Sequence, residues 1–185
     1  MRFAAVLVVL GPLILLTIID ARAEMSMIEN FQRQPETRWR FFTDRVMGGV
    51  SSGKVAYVSE NGKVYSHLTG NVSTKNNGGF IQIRLDLPQG APKETSGVRI
   101  VVRGNGQRYF VHLRTSDTIL PWQYYQAGFD SSAKWREVRL PLEDFKPSGS
   151  LLKTGPRADS IESIGIVAYG RDHEAEIDVR EVGFY

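Results

Sequence analysis

The chain has 185 residues, a length suited to one domain, with 23 Lys and Arg against 20 Asp and Glu. A net charge of +3, with 42% apolar and 23% charged residues, excludes a disordered chain and gives no electrostatic case for a nucleic-acid partner. The absence of cysteine excludes disulfides, thiolate metal sites and Cys nucleophiles, while 18 Gly and 8 Pro favour short strands and turns over helices.

The first residues read as an address. Arg2 precedes an apolar run from Phe3 to Ile19, Asp20 ends it, and Ala21-Arg22-Ala23 supplies an A-x-A cleavage pattern. This predicts a signal peptide over residues 1–23 and a mature domain over residues 24–185, periplasmic or secreted. An uncleaved membrane anchor is the alternative, although Gly11-Pro12 interrupts the run.

Strand-like alternation dominates the mature chain. Val55, Tyr57 and Ser59 share a face, Asn61-Gly62 suits a type I′ hairpin turn, and Lys63 to Thr69 returns. In Phe80 to Leu87, Ile81, Ile83, Leu85 and Leu87 oppose Gln82, Arg84 and Asp86, the pattern of a half-buried strand. Strands are also predicted over Val98 to Arg103, Arg108 to Thr115, Tyr124 to Phe129, Trp135 to Leu140, Ile161 to Tyr169 and Glu176 to Tyr185. Leu142 to Phe145 reads as a helical turn. Pro88 to Gly97 and Ser148 to Ala158 read as loops. A parity change between Val179 and Val182 predicts a bulge, placed at Gly183. No amphipathic helix of four turns and no internal repeat is evident. The class is all-β, a sandwich of the jelly-roll kind, with a barrel as the structural alternative.

Few constellations carry chemistry. Gly49-Val50-Ser51-Ser52-Gly53 matches the G-x-S-x-G elbow, but a strand comes after it where the elbow needs a helix, so it reads as a turn entering a strand. His67, His112 and His173 are isolated, and none has the spacing of a zinc site. No metal and no cofactor is expected. Loop carboxylates leave calcium open. Asn71-Val72-Ser73 is a glycosylation sequon. Arg103, Arg108, Arg114, Arg136 and Arg139 alternate with acids and read as a mixed solvated surface. Trp122, Tyr124 and Tyr125 cluster in one segment. As exposed rings they would offer plates to a sugar or a partner side chain; as buried rings they would fill the core.

The segment from Trp39 to Ser51 has no reason in generic strand chemistry, above all Asp44-Arg-Val-Met47-Gly48-Gly49-Val-Ser51. It resembles the signature of the complex I intermediate-associated protein 30 family. Gly70 to Ser73, Asn77-Gly78-Gly79-Phe80, Arg103 to Tyr109, Phe129, Trp135, Leu140 to Phe145 and Ile164 to Ile166 continue the match, from about Phe31 to Tyr185. The resemblance implies a galactose-binding-like jelly roll. It also implies a non-enzymatic, chaperone-like assembly factor whose partners are proteins, respiratory complex I subunits or assembly intermediates among them. It transfers no catalytic residue, only the motif positions Trp39, Asp44, Met47, Gly48, Gly49, Ser51, Gly78, Gly79 and Phe80. For these a structural turn is expected, with Asp44 bonding backbone N–H groups and Met47 and Phe80 packing beneath, against a shared partner-binding surface as the alternative. A leader that exports the domain departs from the mitochondrial member, and peripheral membrane association is implied if the leader is retained. A carbohydrate-binding module of the cell envelope, using Trp122, Tyr124 and Tyr125, is the competing function.

Overall fold

The computed structural model describes residues 27–185, so the predicted leader lies outside the described residues. Twelve strands run in chain order: β1 (Met27–Glu29), β2 (Trp39–Thr43), β3 (Ser52–Glu60), β4 (Lys63–Val72), β5 (Phe80–Asp86), β6 (Gly97–Gly104), β7 (Arg108–Thr115), β8 (Tyr125–Asp130), β9 (Arg136–Pro141), β10 (Lys146–Pro147), β11 (Ile161–Tyr169) and β12 (His173–Phe184). The one α-helical segment among the described residues, α1 (Pro35–Arg38), is a single turn.

The strands form two six-stranded antiparallel sheets. The first has the order β3-β4-β12-β6-β9, with β1 beside the end of β12 that β4 leaves free. The second has the order β10-β8-β7-β11-β5-β2. The sheets face each other over a core that strand parity dictates. Ile81, Ile83 and Leu85 of β5, Ile164, Ile166 and Ala168 of β11, and Tyr109, Val111 and Leu113 of β7 meet Leu68, Ile100, Val102, Ile177 and Val179 of the first sheet. All of these side chains are buried, and burial of branched aliphatic and aromatic groups is the main term holding the layers together.

The predicted strands appear with ends shifted by up to three residues. Asn61 and Gly62 both have positive φ, 53° and 75°, as the hairpin demands. The predicted bulge moves: the β12–β6 register shifts between Val179 and Glu181, so Arg180 is the extra residue, not Gly183. Strands β1, β2 and β10 and the turn α1 were not anticipated. Strands β1 and β2 flank α1, and Trp39 anchors that corner from within the core. Its indole N–H donates to the buried Glu29 carboxylate at 2.9 Å, which also accepts from the Phe31 N–H and Arg38.

Candidate functional site

The outer face of the second sheet carries the site. Cross-strand registry sets its rows. Arg40 lies opposite Arg84, Arg84 opposite Gly165, Gly165 opposite His112 and His112 opposite Gln126. The neighbouring row runs Phe42, Gln82, Val167, Phe110 and Gly128. Gly165 has no side chain in the centre of the first row, so the floor is recessed between Arg84 and His112. The result is a groove of about 440 Å³.

Its floor and walls are aromatic. His112 and Tyr124 stack with ring centroids 4.0 Å apart and planes 8° from parallel. Tyr169 stands edge-on to both, 5.6 Å and 6.2 Å away. Phe42 meets Phe80 edge-to-face at 6.1 Å, and the Arg84 guanidinium lies 5.0 Å over the Phe42 ring. Burial drives the His112 pKa down to about 3, although a contact from Gln126 opposes the shift, so the ring is neutral at physiological pH. Burial, followed by the neighbouring Tyr169, pushes the Tyr124 hydroxyl up.

Two short segments raise the rim. The loop 118–123 presents Trp122, which is 65% exposed. Arg114 fixes that loop, donating to the carbonyls of Thr118, Leu120, Pro121 and Gln123 at 2.7–3.2 Å. On the other side, the 3-10 turn Asp44–Met47 presents Val46 and Met47, which are 73% and 59% exposed. Exposed apolar side chains clustered on a groove mark a contact surface.

The family-signature residues hold that second rim in place. Asp44 is fully buried. Its Oδ1 accepts the Ser51 N–H at 2.9 Å. Its Oδ2 accepts the Ser51 hydroxyl at 2.5 Å, the Gly79 N–H at 2.6 Å and the Phe80 N–H at 3.3 Å. Burial alone would raise its pKa, but these donors outweigh burial and hold it below the usual carboxylate range. A Cβ on Gly49 or on Gly78 would overlap the Asp44 carboxylate, which explains a glycine in each Gly-Gly pair without appeal to φ. The partners Gly48 and Gly79 sit at φ of 91° and 127°.

The sequence-predicted residues therefore separate. Asp44, Gly49, Ser51, Gly78 and Gly79 form a buried staple, and Trp39 is a core ring. Met47 does not pack beneath the turn as expected, because the turn projects it outward onto the rim. Phe80 lines the groove. Trp122 and Tyr124 face the groove, whereas Tyr125, opposite Leu113, turns into the core and offers no plate. Ser51 is buried, and its hydroxyl is held by Asp44 and by the Ser73 N–H at 2.9 Å. Sequence reasoning missed Val46, Gln82, Arg84, Arg114, Gly165 and Tyr169 as groove residues. Strand alternation placed Gln82 and Arg84 of β5 and Arg114 of β7 outward, but only sheet order brings them together with Gly165 and Tyr169 of β11 and with Val46 of the turn. Among the described residues no cluster of His, Asp and Glu has the makings of a metal site.

The outer face of the second sheet is thus a recessed aromatic groove between two rims of exposed apolar side chains. The family model of complex I intermediate-associated protein 30 matches residues 29–179. The chain belongs to that family. No curated protein matches it in sequence. Among solved structures, it is similar to the family 11 carbohydrate-binding module of a cellulosomal cellulase of Clostridium thermocellum. The TM-score is 0.69 at 13% identity, covering 85% of this chain and 92% of the module. A family 11 module of that organism in complex with a β-1,3-1,4-mixed-linked tetrasaccharide gives 0.65 at 14% identity, covering 86% and 94%. A family 30 carbohydrate-binding module gives 0.51 at 12%, covering 74% of each chain. At these identities the likeness establishes the fold alone.

Proposed function

We propose that this chain is a non-enzymatic assembly factor that holds a segment of a client protein in the groove of its second sheet. The observation that carries the reading is the rim. Val46, Met47 and Trp122 are large apolar side chains held in the open by fixed backbone on both sides of an aromatic floor, and such placement costs solubility unless a partner covers it. Family membership supports clients among complex I subunits or their assembly intermediates. The sandwich is read as a galactose-binding-like jelly roll. The leader over residues 1–23 exports the domain, so it works in the periplasm or outside the cell, or on the membrane surface if the leader stays attached. The test is cross-linking in intact cells with a C-terminal tag, then mass spectrometry of captured proteins and of the mature N-terminus. Complex I subunits or assembly proteins, together with an N-terminus at Glu24, are expected. Capture of no protein contradicts the reading.

One observation favours a second reading. The parallel His112–Tyr124 pair and the nearby exposed Trp122 are flat plates of the sort that sugar rings stack on, and the similar folds include carbohydrate-binding modules. On that reading the ligand is an envelope glycan. Calorimetry across a panel of envelope polysaccharides separates the two, and absence of heat removes the glycan.

A further inference from the structure

The charges in the groove are all of one sign. Its lining contains two ionised side chains, Arg84 and Arg114, and no carboxylate. Arg114 spends its donors on four neutral carbonyls, so its bonds fix its position without cancelling its charge. Arg84 has one carboxylate in range, Asp86, 3.7 Å from its Nε, and that carboxylate is already held by Arg40 at 2.6 Å. The Arg84 Nε is buried and makes no hydrogen bond. Burial first, then the nearby Arg40, weaken its hold on its proton; Asp86 opposes this and Arg114 adds to it, leaving a net lowering. Asp86 and Glu162 do not line the groove; they line a second, more open cleft on the other side of Arg84 and Arg114, which both arginines also border. A half-buried cation whose one anion is distant and shared with Arg40 is costly in the free protein, and an anionic ligand offsets that cost.

Resting on the protein-client reading above, we infer that the groove selects an extended client segment that carries an acidic residue, whose carboxylate meets Arg84 and Arg114 while its apolar neighbours cover Met47, Val46 and Trp122. The guanidinium fork is made for a carboxylate. An aliphatic rim of Val and Met beside a single exposed Trp fits apolar peptide side chains, and Met adapts to their shapes. That favours a peptide over an acidic sugar.

The test begins with selection of random linear peptides on the immobilised full domain. Selected peptides are then synthesised with each Asp or Glu kept or exchanged for Asn or Gln, and titrated by fluorescence anisotropy. The proteins titrated are the wild type, Arg84→Gln, Arg84→Lys and Gly165→Leu, the last placing a side chain on the groove floor. Enrichment of acidic-apolar peptides is expected. Affinity should fall about tenfold or more on amide exchange or in Arg84→Gln, recover partly in Arg84→Lys, weaken with salt, and vanish in Gly165→Leu. Circular dichroism of each variant confirms its fold. Peptides that need Gly165 but ignore both amide exchange and Arg84→Gln overturn the acidic preference and leave the protein-client reading standing. Failure to enrich any peptide that depends on Gly165 overturns both, and binding of an oligogalacturonate instead assigns the groove to acidic glycan.

Discussion

The carboxylate of Asp44 accepts the Ser51 hydroxyl at 2.5 Å, and the same oxygen accepts the Gly79 N–H at 2.6 Å, so one buried side chain ties the end of β2 to the starts of both β3 and β5. Between Asp44 and Ser51 lies the turn that lifts Val46 and Met47 onto the groove rim. The family signature is thus a staple, and its product is the exposed pair it contains. On the proposed reading, the buried signature residues act on client binding through the rim they position.

Removing the staple strands its donors. Asp44→Ala leaves the N–H groups of Ser51, Gly79 and Phe80 without their acceptor and should cost about 3 kcal/mol or more in chemical denaturation. Because the folded pKa of Asp44 lies below its unfolded value, its contribution is complete above the ordinary carboxylate range and is lost as pH falls through the folded value. Asp44→Asn should therefore be destabilised at neutral pH and lose part of the acid sensitivity of the wild type.

The glycines make a sharper test. Gly49→Ala forces a methyl group into the space of the Asp44 carboxylate and should destabilise by about 3 kcal/mol. In an Asp44→Ala background the carboxylate part of that clash is gone, and only the overlap with the residue-44 Cβ, 2.7 Å, remains. The double mutant should be more stable than the sum of the singles predicts, by about 1 kcal/mol or more in a double-mutant cycle.

His112 makes a pH prediction of its own. It is neutral in the fold, with its pKa lowered to about 3, whereas an unfolded histidine titrates near 6.5. The unfolded chain therefore binds the extra proton between those values. Stability is complete above pH 6.5 and falls by about 1.4 kcal/mol per pH unit below it from this group. His112→Phe, which preserves a ring against Tyr124, should flatten urea-melt stability across that window. An unchanged profile would show that His112 is not buried neutral.

Trp122 separates binding from folding. It is 65% exposed on a loop pinned by Arg114, so Trp122→Ala should change stability by no more than about 0.5 kcal/mol. Its loss should still weaken client capture by about tenfold or more, as truncation of an aromatic anchor does.

The sheet layers were legible in the sequence because residues 80–86 and 108–115 alternate and each inward set proved to be core, whereas residues 161–169 are apolar on both faces, with Val167 buried on the outward one. Strand β2 was hidden inside the signature, where Trp39, Phe41 and Thr43 alternate with Arg40 and Phe42 and the apolar Phe42 blurs the contrast between its faces. The bulge was legible as a parity change, yet parity fixes it only to an interval, and hydrogen-bond register put it at Arg180. The staple was half legible: Asp44 and the Gly-Gly pairs were named, but not that Gly49 and Gly78 are glycines because a carboxylate fills the place of their side chains. The groove was least legible. Its floor joins Arg84, Gly165 and His112, which are distant in the chain and adjacent only through the order β7-β11-β5.

The central claim is that the outer face of the second sheet is where a client protein sits. Its most direct measurement places a photo-cross-linking residue at position 122 on the groove rim, and separately at position 139 on β9 of the opposite sheet, in intact cells. The account predicts that position 122 captures a complex I subunit or assembly intermediate, that Gly165→Leu abolishes this capture, and that position 139 captures none. Equal capture at both positions, or capture at 122 that persists in Gly165→Leu, would contradict it.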